Sequence, residues 1–225
     1  MDEAIVYAID DDPATLDAVA KIARSLHLRC RPYTSGLDFL EQYDRSLPGC
    51  VVTELRMMAI SGLQIQRRLL LEGTPMPVVF LASQADVATV VSAMRDGAVH
   101  FLQKPFREQE LWDAIQEAIQ ISKERLERQQ WLEATAKRIA SLTPKERQVL
   151  ELIGQDMAKR AIASELGVCT RTVEMHRAKL MGKLQVETVS ALKRIAEVAA
   201  SQSALLDSDR LGGGDGDIHR FGVGR

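Results

Sequence analysis

Apolar residues in the first hundred positions come in short runs separated by amphipathic stretches. Ala4-Ile5-Val6-Tyr7-Ala8-Ile9 is a run of six closed by three aspartates, and Cys50-Val51-Val52-Thr53 and Val78-Val79-Phe80-Leu81-Ala82 repeat the pattern. Unbroken runs of this length predict strands buried on both faces of a parallel sheet. Between them, Thr15 to Leu28 and Asp86 to Arg95 space their apolar residues as helices do. Strand and helix alternate, which predicts an α/β, doubly wound, five-stranded parallel sheet with helices on both faces. In such a sheet ligands sit beyond the carboxyl ends of the strands.

The pattern changes after residue 106. Residues 107 to about 140 contain no Gly or Pro, and Leu111, Ile115, Ala118, Ile119, Leu126, Leu132, Ala136 and Ile139 form an apolar stripe that breaks near Gln129-Gln130. This predicts one long helix that leaves the first domain and becomes a linker. Thr143-Pro144-Lys145-Glu146 then has a cap, a proline at the first helical position and a glutamate at the third, a strong helix start. Lys159 to Leu166 reads as a short helix stopped by Gly167, Val168-Cys169 as a turn, and Thr170 as the cap of a second helix to Leu184. Two helices joined this way predict an all-α helix-turn-helix domain. The boundaries expected are 1–122 for the α/β domain, 123–141 for the helical linker, 142–200 for the helix-turn-helix domain and 201–225 for a disordered tail marked by Gly212-Gly213-Gly214.

Charge sharpens the division. The net charge of −2 conceals an acidic front, with 11 basic and 17 acidic residues over 1–120, and a basic rear, with 10 and 7 over 143–200. Two units with different partners are expected. No apolar run is long enough to span a membrane. The opening Met-Asp-Glu lacks the order of a signal peptide, so the expected location is cytoplasmic, without membrane partners. Cys30, Cys50 and Cys169 are too few and too scattered for a disulfide framework or a zinc site, and read as buried thiols.

The candidate chemistry of the front half lies at the strand ends. Asp10 and Asp11 follow the first strand, Glu54 ends the third, and Lys104-Pro105 ends the fifth. Carboxylates at adjacent strand ends repel one another, and a divalent cation or a lysine relieves that repulsion. Together with Ser61-Gly62-Leu63 and Asp96-Gly97-Ala98, these residues resemble the receiver domain of response regulators, a flavodoxin-like fold, over about residues 3–122. The resemblance implies metal-holding acids at Asp10 and Asp11, a phosphoacceptor position at Glu54, a switch hydroxyl position at Ala82 with Ser83 beside it, a switch aromatic at Phe101, and a phosphate-pairing lysine at Lys104 in a cis Lys-Pro bond. Two positions depart from the pattern: Glu54 stands where the family has Asp, and Ala82 where it has Ser or Thr. A glutamate carboxylate reaches about 1.3 Å further than an aspartate's and fills part of the space a phosphoryl group needs. Near-attack geometry requires reacting atoms within about 3–3.5 Å, so phosphorylation of Glu54 is disfavoured and a Glu54–Lys104 pair is expected instead. No cofactor is required; a weakly held Mg²⁺ at Asp10 and Asp11, with Glu54 in the same acidic pocket, is the expectation.

In the rear half, Leu142-Thr143-Pro144-Lys145-Glu146-Arg147, Ile162-Ala163, Leu166-Gly167-Val168, Arg171-Thr172-Val173-Glu174, His176-Arg177 and Lys183-Leu184 resemble the LuxR-type helix-turn-helix. Joined to a receiver, it resembles the FixJ/NarL group of bacterial transcriptional regulators. The resemblance implies binding of double-stranded promoter DNA as a homodimer, with contact to RNA polymerase, and the departures in the pocket speak against a cognate histidine kinase. Lys159, Arg160, Thr170, Thr172 and Lys179 would touch phosphates. Glu174, Met175 and Ala178 would face base edges, with Arg171, Arg177 and Lys183 completing the candidate DNA surface. The leading reading is a DNA-binding transcriptional regulator, not an enzyme, whose degenerate receiver acts without phosphorylation in a fixed or ligand-controlled state. Its alternatives are a conventional regulator phosphorylated on another residue, a phosphoryl-transfer hydrolase, which would need a lid insertion that is absent, and a protein-interaction module that has lost DNA binding.

Overall fold

A computed structural model describes residues 4–74 and 76–211, with side chains as far as residue 200. The elements run β1 (Ile5–Ile9), α1 (Pro13–Ser25), β2 (Arg29–Tyr33), α2 (Gly36–Gln42), β3 (Gly49–Glu54), α3 (Gly62–Leu71), β4 (Val78–Ala82), α4 (Val87–Arg95), β5 (His100–Gln103), α5 (Glu108–Ala140), α6 (Pro144–Gly154), α7 (Lys159–Glu165), α8 (Thr170–Leu184) and α9 (Val189–Leu211). They divide into two compact units between Gln129 and Gln130, where the apolar stripe breaks.

The first unit is a five-stranded sheet of order β2-β1-β3-β4-β5, all neighbours parallel. β1, β3 and β4 are buried along their whole length, as unbroken apolar runs require. One face packs Val6, Ala8, Val52, Val79 and Leu81 against α1 and against Leu111, Ile115 and Ala118 of α5. The other packs Tyr7, Ile9, Val51 and Phe80 against Phe39 of α2 and Ile65 and Leu69 of α3. The doubly wound α/β fold expected from the alternation of runs is thus present. α1 lies earlier than Thr15–Leu28, because Asp12 caps it by accepting from the N–H groups of Ala14 and Thr15 with Pro13 at the first position.

The third strand delivers Glu54 to the carboxyl edge, and residues 55–61 loop back from there to the start of α3. Gly62, at the start of α3, donates its N–H to Leu55 O at 3.0 Å. A Cβ on Gly62 would stand 2.6 Å from Glu54 O and 2.9 Å from the Phe80 ring, so only glycine permits this approach. At the other end of the sheet, Gly49 N–H donates to Ser122 Oγ at 3.0 Å, which ties α5 to β3. The next seven residues of α5 are exposed except for half-buried Leu126.

The second unit holds the remainder of α5 as well as α6 to α9. Ile139 and Leu142 enter its core with Val149, Leu150, Ile162, Val173, Leu180, Leu184, Leu192 and Ile195. Arg138 donates to Leu184 O at 3.4 Å and to Gln185 Oε1 at 2.5 Å, at the carboxyl end of α8. Gln185 has φ 55°, in the left-handed region that ends a helix. The segment read as a linker to 141 therefore gives its last turns to the second unit, because Ile139 joins that core and Arg138 satisfies the Leu184 carbonyl that the end of α8 leaves free. The closing helix α9 reaches Leu211, beyond the boundary at 200, up to the glycine run; the remainder of the expected tail, 212–225, lies outside the described residues.

Candidate functional site

Strand ends bring the acidic residues together as the sequence pattern requires. β1 and β3 are paired with Ile9 opposite Thr53, so Asp10 and Glu54 leave adjacent strands at the same level. Both are buried, Asp10 at 2% and Glu54 at 7% exposure. Lys104 follows β5 directly and is joined to Pro105 by a cis bond, and its N–H donates to Ala82 O at 2.8 Å. Its Nζ lies 2.7 Å from Asp10 Oδ2 and 2.7 Å from Glu54 Oε2. One ammonium thus bridges two buried carboxylates. The other oxygens are engaged as well: Asp10 Oδ1 accepts from Asp12 N–H at 2.9 Å, and Glu54 Oε1 accepts from the N–H groups of Leu55 and Arg56 at 2.8 and 3.3 Å.

The electrostatics follow from this geometry. Burial pushes the Asp10 carboxyl above its ordinary pKa, opposed by the bonds from Lys104 and Asp12. Burial pulls Lys104 downward, but its bonds to Asp10 and Glu54 outweigh that and leave it raised. Lys104 is therefore charged throughout the neutral range.

The surrounding depression, of about 350 Å³, is lined by Asp10, Asp11, Asp12, Glu54, Arg56, Ser83, Gln84 and Lys104. Ala82 is buried and offers no hydroxyl, and Ser83, the next residue, is exposed. Phe101 is half-buried with its ring 5.9 Å from that of Phe80. Asp11 is exposed and Asp12 is spent on capping α1. Among the described residues no group of three Asp, Glu, His or Cys is placed to hold a metal. In this arrangement Asp10 Oδ2 and Glu54 Oε2 both face the Lys104 ammonium.

In the second unit α7 and α8 form the helix-turn-helix, with Gly167 at φ 62° between them. Val173, Leu180 and Leu184 of α8 are buried. Lys159, Arg160, Thr170, Arg171, Glu174, Met175, Ala178 and Lys179 are exposed, and Thr172 and Arg177 are half-buried. Two details differ from what the sequence pattern predicts. Cys169, not Thr170, occupies the cap position, with extended backbone and no side-chain bond to the helix N–H groups. Cys169 is exposed and Cys30 intermediate, so only Cys50 is a buried thiol. Cys169 Sγ lies 3.2 Å from the Thr172 hydroxyl, and that contact lowers the thiol's pKa.

Lys183, expected at DNA, is exposed and has its Nζ 2.7 Å from Glu146 Oε2. Glu146 is buried and also accepts from Thr143 N–H in the capping box at the start of α6. Lys183 and that N–H hold the Glu146 carboxyl at about 2. The separation of thirty-seven positions between the partners leaves no local signal for this pair. Lys159 and Glu174 form another ion pair that joins α7 to α8.

A parallel α/β receiver fold with an acidic strand-end pocket, followed by a helix-turn-helix unit, defines a class: transcriptional response regulators. Residues 6–116 match the response regulator receiver domain, and residues 140–196 match the bacterial regulatory proteins of the luxR family. The chain is 33% identical over 195 residues to the response regulator protein TmoT of Ectopseudomonas mendocina, covering 87% of this chain and 89% of that protein. It is 36% identical over 197 residues to the transcriptional regulatory protein FixJ of Azorhizobium caulinodans, covering 86% and 92%. Among solved structures, the response regulator StyR aligns with a TM-score of 0.74 at 33% identity, over 87% of this chain and 98% of that one. The chain belongs to the FixJ-like response regulators. That family is one of transcription regulators, not enzymes, and its LuxR-type domain implies DNA binding. Among the described residues no helix is long and apolar enough to cross a membrane.

Proposed function

We propose that this regulator binds promoter DNA under the control of a receiver that does not accept a phosphoryl group. One observation carries the reading: the Lys104 ammonium sits between Asp10 and Glu54, 2.7 Å from each. The Glu54 carboxylate thereby meets Lys104 at the place where, in a phosphorylated receiver, the phosphoryl group would meet it. Glu54 supplies the negative charge that phosphorylation would bring, and Lys104 supplies the positive charge that a metal would bring. The weak Mg²⁺ site expected at Asp10 and Asp11 would exist only at the expense of the Lys104 pairs. Ala82 has no hydroxyl to answer the Glu54 carboxylate, so the backbone N–H groups of Leu55 and Arg56 answer it instead.

Signalling then depends on a pre-existing equilibrium of receiver states, biased by whatever binds one of them better. A homodimer is the proposed DNA-binding form. The +3 of residues 143–200 is modest, and two linked sites raise affinity without new contacts. Val87, Val91 and Met94 are exposed on one face of α4 at spacings of four and three, an apolar surface on which two receivers would pair. Contact with RNA polymerase follows as the proposed route to transcription, without need of a cognate histidine kinase.

The test is a fluorescence anisotropy titration of promoter DNA at several salt concentrations, with and without acetyl phosphate and Mg²⁺. Equal affinity under both conditions, falling as salt rises, is expected. A tenfold or greater tightening with acetyl phosphate would return the protein to the conventional class.

A further inference from the structure

The exposed face of α8 carries a carboxylate where a DNA-facing surface is ordinarily cationic. Glu174 lies in the second turn of α8 with its side chain 56% exposed, and the ammonium of Lys159, the first residue of α7, is bonded to it. The Lys159 bond lowers the Glu174 pKa, and Arg177 and Arg171 add to the effect. The carboxylate is therefore ionised and acceptor-only. Its neighbours on the exposed face, Met175 and Ala178, bring no polar side-chain group except the weakly accepting Met sulfur.

The pair offers two complementary groups side by side. Glu174 has lone pairs to accept with, and Lys159 has three N–H donors of which Glu174 uses one. In the major groove a C·G pair presents the cytosine N4 amino donor next to the guanine O6 and N7 acceptors, the mirror of that arrangement. An A·T pair also presents an amino donor, adenine N6, but it lies between the single acceptors N7 and thymine O4, so it lacks the two adjoining acceptors that guanine offers an ammonium.

We propose that Lys159 and Glu174 form a base-reading dyad for a C·G pair. Glu174 accepts from cytosine N4, and Lys159 donates to guanine O6 or N7 while holding the carboxylate in place. The inference rests on the DNA-binding reading above and deepens it. Lys159 becomes a specificity-determining residue rather than a phosphate contact. Because the two side chains are already paired across the two helices, less rotamer freedom is lost when DNA arrives.

Selection of duplexes from a random-sequence pool by the full chain tests it, with Glu174→Gln and Lys159→Ala beside the native protein. Both substitutions are at exposed positions, and unchanged circular dichroism checks that each variant is folded. The native protein is expected to enrich a motif with C·G at one position. Each variant should lose that preference, by between about 5-fold and about 100-fold, with the rest of the motif intact. Glu174→Gln should move the position toward A·T, since glutamine bonds adenine N6 and N7. Retention of the full motif by both variants, or an equal loss of affinity for all sequences, overturns the dyad and leaves DNA binding standing. Failure of the native protein to enrich any duplex overturns the dyad and the DNA-binding reading together.

Discussion

The Lys104 ammonium lies 2.7 Å from Glu54 Oε2 and the same distance from the more deeply buried Asp10, so the three groups form a closed carboxylate–ammonium–carboxylate chain. Desolvation makes such a chain costly to assemble and more costly to break, because removing one member strands the others in a poor solvent. Two carboxylates around one lysine leave a net charge of −1.

Removing Lys104 should therefore expose the repulsion between Asp10 and Glu54. Lys104→Ala is expected to destabilise the receiver by about 3–5 kcal/mol in urea unfolding of the full chain. Millimolar Mg²⁺ should restore part of that loss in the variant and leave the native protein unchanged. Equal Mg²⁺ stabilisation of both proteins would mean that the metal and Lys104 do not compete.

Shortening the third-strand acid and supplying a hydroxyl should recover the missing reaction. The double substitution Glu54→Asp with Ala82→Thr is expected to form a phosphoryl adduct with acetyl phosphate and Mg²⁺, read by intact mass. Absence of an adduct would show that features beyond these two side chains block the chemistry.

Gly62→Ala tests how tightly the turn after Glu54 is built. Its new methyl would stand 2.6 Å from the Glu54 carbonyl oxygen, and neither backbone segment can withdraw freely. A loss of about 1–3 kcal/mol in urea unfolding is expected, as for other overpacked sites. No measurable loss would show that the start of α3 can shift.

Acid should loosen the helix-turn-helix unit through Glu146. Its carboxyl is held at about 2, against an ordinary value of 4.5. A depressed carboxyl contributes stability that is present above the unfolded value and lost as pH falls through the folded one. Stability of this unit should thus decline from about pH 4.5 toward about pH 2. Glu146→Gln should flatten that decline, as followed by hydrogen exchange of α6 and α8 amides between pH 2 and 6. An unchanged acid profile in the variant would remove Glu146 as its cause.

The sheet was legible because each buried strand is an apolar run that ends in a charged or polar residue, and the helix-turn-helix because Gly167 and the apolar stripe of α8 are local features. The Glu54–Lys104 pair was also legible, since strand ends at the same sheet edge must meet. Contacts between residues far apart in sequence were not. Nothing near Lys183 marks Glu146 as its partner, nothing near Lys159 marks Glu174, and Arg138 reads as an ordinary linker cation until α8 ends beside it. The pairing of Lys104 with Asp10 as well as Glu54 was missed for a different reason. Composition shows only that a cation is wanted among the carboxylates, and both a metal and a lysine satisfy that demand until distances separate them.

On the proposed reading the pocket has kept its charge and lost its reaction. Incubation of the full native chain with acetyl phosphate and Mg²⁺, followed by intact mass and peptide mapping, tests it most directly. The native protein is expected to stay unmodified under conditions in which the Glu54→Asp, Ala82→Thr variant is labelled. A phosphoryl adduct on Glu54, or on another pocket residue such as Ser83, would contradict it.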